Sequence, residues 1–163
     1  MLYRDTEIEP RLRPVEEQTL NPGANRNDGA RSDIRIMGFQ REFQNTHLDV
    51  KVINLQAQCH VENNPNTALA RAEEQKERAY KERIERVENG SFVRMIFSTR
   101  GAKSNKTTKA LARIAKGIAY KNRQEVSVIA RNIGIELSFI LLRMELACLR
   151  GYRGARARLN TSA

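Results

Sequence analysis

Apolar and polar positions alternate twice in the first third of the chain. "SDIRIMGF" (32–39) and "THLDVKVIN" (46–54) each repeat with a period of two, so each predicts a strand with one buried face. The polar "QREFQN" between them has the length of a hairpin connection, although it lacks a sharp Asn-Gly turn. In the second strand Leu48, Val50 and Val52 share one face. Asp49 and Lys51 share the other, about 7 Å apart at their α-carbons from the rise per residue. That pair is either a solvated strand face or a chemical site.

The pattern then changes. "TALARAEEQKERAYKERIERVENG" is rich in Ala, Glu, Lys and Arg and predicts a helix over 67–88, with Asn66 or Thr67 as N-cap and Asn89-Gly90 as the stop. At about 100° per residue, Leu69, Ala72, Lys76, Tyr80, Ile84 and Val87 fall on one stripe. Lys76 thus lies in the face that meets the sheet, where its ammonium either snorkels out or points at an anion. "SFVRMIFS" (91–98) predicts another strand. Strand, helix and strand at this spacing form a crossover unit, so the strands near 50 and 95 are expected to be parallel, with a right-handed connection. Two helices follow, over 105–121 and 124–149. The second carries Ile129, Ile133, Leu137, Phe139, Ile140, Leu141 and Leu142. It is too apolar to lie in a nucleic-acid groove as part of a helix-turn-helix, and is expected to close the core behind the sheet.

Length and charge narrow the reading. The 163 residues suit one domain. Residues 1–30, with Pro10, Pro14, Pro22, Gly23 and Gly29, read as an extended arm or an incomplete leading element. Residues 31–150 form the domain and 151–163 a basic tail. A net charge of +10 favours a polyanionic partner, nucleic acid before an anionic membrane. Cys59 and Cys148 form no metal-ligand or disulfide spacing, and His47 and His60 do not complete a zinc pattern. The expectation is an intracellular protein, nuclear in a eukaryote and cytoplasmic otherwise. The N-terminus lacks the apolar core of a signal peptide, and "IELSFILLRMELACL" is broken by Glu136, Arg143 and Glu145, which argues against a membrane span.

The candidate chemistry centres on the alternating strands. A register that sets Asp33 beside Asp49 would join two carboxylates and Lys51 on one sheet surface. Such a set, aided by a backbone carbonyl, suits a hard divalent cation and phosphodiester hydrolysis. Lysine there can position or deprotonate the attacking water, or stabilise developing charge. "TRGAKSNKTTK" (99–109) gathers Arg100, Lys103, Lys106 and Lys109, either as a solvated turn or as a phosphate grip.

These segments carry a resemblance. "SDI", "LDVKV" and "EEQKERAYKERI" resemble the PD-(D/E)XK nuclease superfamily, of restriction-endonuclease-like fold. Together with "DGARSDIRIMGF", "FSTRGA" and "LSFILLRMELACLRG" they resemble a nuclease-like domain found near reverse transcriptases in retroelement-derived genes. The likeness covers most of residues 28–151. It implies an α/β fold with a small mixed sheet, a hairpin plus a parallel crossover strand, flanked by helices. It implies Asp33 and Asp49 as metal-binding acids, Val50 as the carbonyl ligand, Lys51 as the catalytic lysine, and Lys76 and Tyr80 as polar positions of the bordering helix. It also implies magnesium or manganese as cofactor, DNA or secondarily RNA as partner, and a reverse transcriptase or other element-encoded protein nearby. Ser32 replaces the proline of the name-giving motif. No helix with the auxiliary glutamate precedes Asp33, Glu16 and Glu17 being the nearest acids. Two further readings stand beside the nuclease. One is a noncatalytic nucleic-acid-binding descendant; the other is an assembly module whose apolar C-terminal helix pairs with another chain, a second copy included.

Overall fold

The alternating segments form the predicted hairpin. In this computed structural model, which describes residues 5–12, 31–58 and 64–160, β2 (Ile34–Met37) pairs antiparallel with β3 (Asn45–Ile53). Part of the N-terminal arm joins the sheet, because β1 (Thr6–Ile8) pairs antiparallel with β2. β4 (Ser91–Ser98) lies parallel to β3, as a crossover requires, and the strand order is β1-β2-β3-β4. The result is a mixed α/β fold with a small four-stranded sheet flanked by helices.

The crossover helix differs from its expected outline. α1 (Pro65–Lys76) starts earlier, with Asn64 as N-cap, its side chain accepting from the Asn66 N–H, and Pro65 in the first turn. Neither Asn66 nor Thr67 is the cap. The segment then widens into a π-helical turn, Glu77–Lys81, before α2 (Glu82–Arg86) completes it. Asn89 takes a left-handed conformation (φ 48°) and ends the crossover as expected. Gly90 is required there by space, since a Cβ would sit 3.0 Å from the Asn45 carbonyl oxygen.

Period two divides the core between the two faces of the sheet. Ile36, Leu48, Val93, Met95 and Phe97 pack with Phe39 against Ala110 of α3 (Asn105–Asn122) and Leu141 of α4 (Val126–Asn160). On the opposite face Ile53 and Ile96 meet Ala68, Leu69 and Ala72 of α1. The edge of β4 is closed by the segment leading into α3. The Thr107 hydroxyl accepts from the Ile96 N–H (2.7 Å) and donates to the Ile96 carbonyl (3.1 Å). Ser104 caps α3 and also donates its own N–H to Ile96 O.

α4 closes the core as expected, but with only part of its apolar surface. Ile129 and Leu141 are buried, and Ile133 and Leu137 pack beside them, so one stripe closes the core. Phe139 (60 % exposed), Ile140 and Leu142 are open to solvent, with Val128, Ile135, Met144 and Leu146. Burial is decided by which side docks on α3, and a single stripe suffices. The helix runs on to Asn160, through the residues read as a tail. No helix among the described residues is long and apolar enough to cross a membrane.

Candidate functional site

The site is assembled at the end of the hairpin. The β2–β3 ladder ends at the Ile34–Leu48 pair, and Asp33 stands in the bend just before it, beside Leu48 and Val50 of β3. Hydrogen bonds fix the approach: the Asp33 N–H donates to the Leu48 carbonyl (3.1 Å), and the Val50 N–H donates to Asp33 Oδ2 (2.6 Å). Residues in a strand send their N–H and C=O to the same edge, so the Val50 carbonyl turns toward Asp33 as well. Lys51 follows Asp49 on the same face and is half-buried. Asp33 therefore abuts Val50, which Asp49 and Lys51 flank in β3.

That face is not a wet one. Asp49 is 5 % exposed, and the parallel register places Arg94 of β4 directly beside it. Arg94 Nη2 donates to Asp49 Oδ2 (3.2 Å), while Nη1 donates to the carbonyls of Ala72 (3.1 Å) and Glu73 (2.5 Å) of α1. The guanidinium also lies 5.5 Å from the Phe92 ring centroid. Burial lowers the Arg94 pKa most strongly; Asp49, then Glu77 and Glu73, oppose that shift by favouring the charged form. The arginine thus ties the central acid to the helix lying over it. Two buried atoms around this tie, Glu73 Oε1 and Arg94 Nε, have no hydrogen-bond partner among the described residues.

Other expected contacts are redistributed. Tyr80 is partly buried and its ring tilts against Phe92, ring centroids 6.3 Å apart, beside Leu12 and Ile84. Lys106 is paired with Glu77 and lies 4.0 Å from Glu73, so acids of the crossover compete for its ammonium. Lys103 forms an isolated bridge with Phe97, and Arg100 is exposed in the turn. Lys76 ends α1, but its side chain lies outside the described residues, as do Glu16, Glu17, Cys59 and His60.

Residues that the sequence reading passed over surround the acids. Arg94 was hidden in an apolar strand, and its single charge on the Asp49 side of the period-two pattern was the available signal. His47 is 1 % exposed on the same face, its Nδ1 2.9 Å from Ser32 Oγ. Burial, reinforced by Arg35, lowers its pKa, against opposing pulls from Glu88 and Glu7.

The donor chemistry can be weighed against a divalent cation. Two carboxylates and a carbonyl are hard oxygen donors of the kind magnesium and manganese accept, with water completing the shell. Among the described residues there is no group of three or more His, Cys, Asp or Glu side chains placed to hold a metal ion. Of the carboxylate oxygens, Asp49 Oδ2 already accepts from Arg94 and Asp33 Oδ2 from the Val50 N–H. Comparison with protein-family models finds no match, and comparison with curated proteins finds none either.

Proposed function

We propose that this chain is a restriction-endonuclease-like domain that hydrolyses phosphodiester bonds of DNA with a magnesium or manganese ion, in keeping with the resemblance to retroelement-associated nuclease-like domains. The observation that carries this reading is the Asp33 carboxylate seated on the Val50 N–H, with Asp49 and Lys51 flanking Val50 in β3. Asp33, Asp49 and Val50 would hold the cation, which when bound lowers the pKa of a water and offsets charge on phosphorus. Lys51 would orient that water. Arg94 would position Asp49 and does not touch the substrate. The basic charge of the chain would supply backbone affinity that weakens with salt.

A second reading is favoured by one contact. The Arg94–Asp49 pair neutralises the central acid and opposes a cation at that oxygen, as expected of a domain that binds nucleic acid without cutting it.

Nicking of supercoiled plasmid, with and without magnesium or manganese, separates the two. Asp33→Asn and Lys51→Met are suitable variants. The amide introduced by Asp33→Asn can still accept the Val50 N–H, and neither change strands Arg94. Metal-dependent nicking lost in both, with DNA binding retained, is the expected result. Binding without nicking by the unaltered chain in either metal would select the second reading.

A further inference from the structure

The outward face of α4 has a repeat of its own. Val128, Ile135 and Leu142 recur every seven residues, and Asn132, Phe139 and Leu146 recur four residues after each. These are the alternating core positions of a coiled coil, five apolar and one Asn. The inner stripe of Ile129, Ile133, Leu137 and Leu141 lies on the other side of the helix, against the body. The outer apolar positions are 38 % to 60 % exposed, so a second seam runs along a helix already docked by its first.

The seam also has the shape of a receptor. A hollow of about 360 Å³ opens on it, lined by Arg131, Gly134, Ile135, Ser138, Phe139 and Leu142. Four of these, Ile135, Ser138, Phe139 and Leu142, are the residues that surround a knob inserted at the level of Phe139 in a parallel pair of helices. A Cβ at Gly134 would meet nothing within 4 Å, so the hollow is open on that side.

We infer that this face is the interface of a homodimer, in which two copies of α4 pair in parallel and Phe139 of each enters the hollow of the other. The occupant is identified by self-complementarity. Parallel pairing places Asn132 against its own counterpart, where two amides satisfy one another and fix register, whereas a shifted alignment strands each amide against an apolar side chain. It also brings Arg131, flanking the seam on one side, toward Glu136 of the second copy, flanking it on the other. One face therefore offers the knob, the hole and both signs of charge that its own duplicate needs, as a twofold interface demands. The stretch from Val128 to Leu146 is about 27 Å long, enough for several knob layers.

Sedimentation equilibrium of the full chain over a wide concentration range tests this. The expected result is a reversible dimer. Phe139→Asp, at an exposed position, should weaken it by more than about tenfold, as loss of a central anchor does, with the melting temperature of dilute protein unchanged. Arg131→Glu should weaken the dimer, and the double variant Arg131→Glu/Glu136→Arg should restore it. Orientation is read by labelling Cys148, which is free and exposed, in a Cys59→Ser background. Parallel pairing sets the two labels at the same height on opposite outer sides of the pair, whereas an antiparallel pair matched over the same seam offsets them along the axis by roughly a further 30 Å. A chain that stays monomeric at high concentration, a dimer indifferent to Phe139→Asp, or labels at the greater, antiparallel separation would each overturn the inference. The first would leave the face to a different protein chain.

Discussion

The two faces of the sheet are held by different means. Toward α3 and α4, Leu48, Val93, Met95 and Phe97 interlock with apolar neighbours, and the buried polar Thr46 on that face is neutral and bonded to Ser91 Oγ (2.8 Å). Toward α1 the same two strands present His47, Asp49 and Arg94, all 5 % exposed or less. An apolar cluster gains from burial directly, at about 25 cal/mol per Å² of apolar area. A buried ion pair must first recover the cost of desolvating both ions, and apolar replacements often serve stability as well or better. The first face accounts for the fold; the second is organised around keeping charge inside it.

That contrast can be broken at its most exposed joint. Arg94→Ala should cost about 3–5 kcal/mol, because it removes the guanidinium of a buried ion pair together with its bonds to the Ala72 and Glu73 carbonyls; urea denaturation of the two proteins measures this. The double change Arg94→Met/Asp49→Leu sharpens the point, since it should recover most of the loss. A double variant as unstable as Arg94→Ala would show the pair to be structural after all. On the apolar face, Leu48→Ala should cost about 3 kcal/mol through lost burial and the cavity left behind, and no second change on the polar face should rescue it. Asn64→Ala, which uncaps the helix covering the polar face, should cost about 1 kcal/mol in the same assay.

The smallest expected effect is the dependence on pH at His47. Burial holds its folded-state pKa below the ordinary 6.5, so its neutral form is the one compatible with the fold. Its contribution is complete above the unfolded value. As pH falls below about 6.5 the unfolded chain takes up the proton first and stability declines, levelling only below the lowered folded value. Comparing unfolding of wild type and His47→Asn between pH 7.5 and pH 5 isolates that slope from the carboxylates. Identical slopes would remove His47 from the account.

Legibility in the sequence follows the same division. The hairpin and the parallel strand were readable because period two and crossover length are local properties, visible at Leu48, Val50 and Val52 or in the helix-rich 67–88. The approach of Asp33 to β3, at Leu48 and Val50, was readable as one register among several. The Arg94–Asp49 pair was not, since it arises only once β3 and β4 lie parallel with Asp49 opposite Arg94, a match made 45 residues away in the chain. Asn64 was legible in principle from the Asn-Pro step that starts α1. For α4 the sequence displays the apolar residues and their core role, but not which of them the body covers. Only docking against Ala115 and Ala119 shows that a single stripe is used there.

Thr107 has an importance beyond α3. A sheet of this kind grows, in disease or in misassembly, by recruiting foreign strands to an open margin. At β4 that margin is spoken for at Ile96, whose two backbone groups both end on one hydroxyl. The other margin is β1, only three residues long and carrying Glu7 in an ion pair with Arg35. Thr107→Val keeps the shape and frees the Ile96 N–H on the longer margin, while the Ser104 N–H still covers the carbonyl, so aggregation kinetics during refolding should quicken before any change in the native structure is detectable.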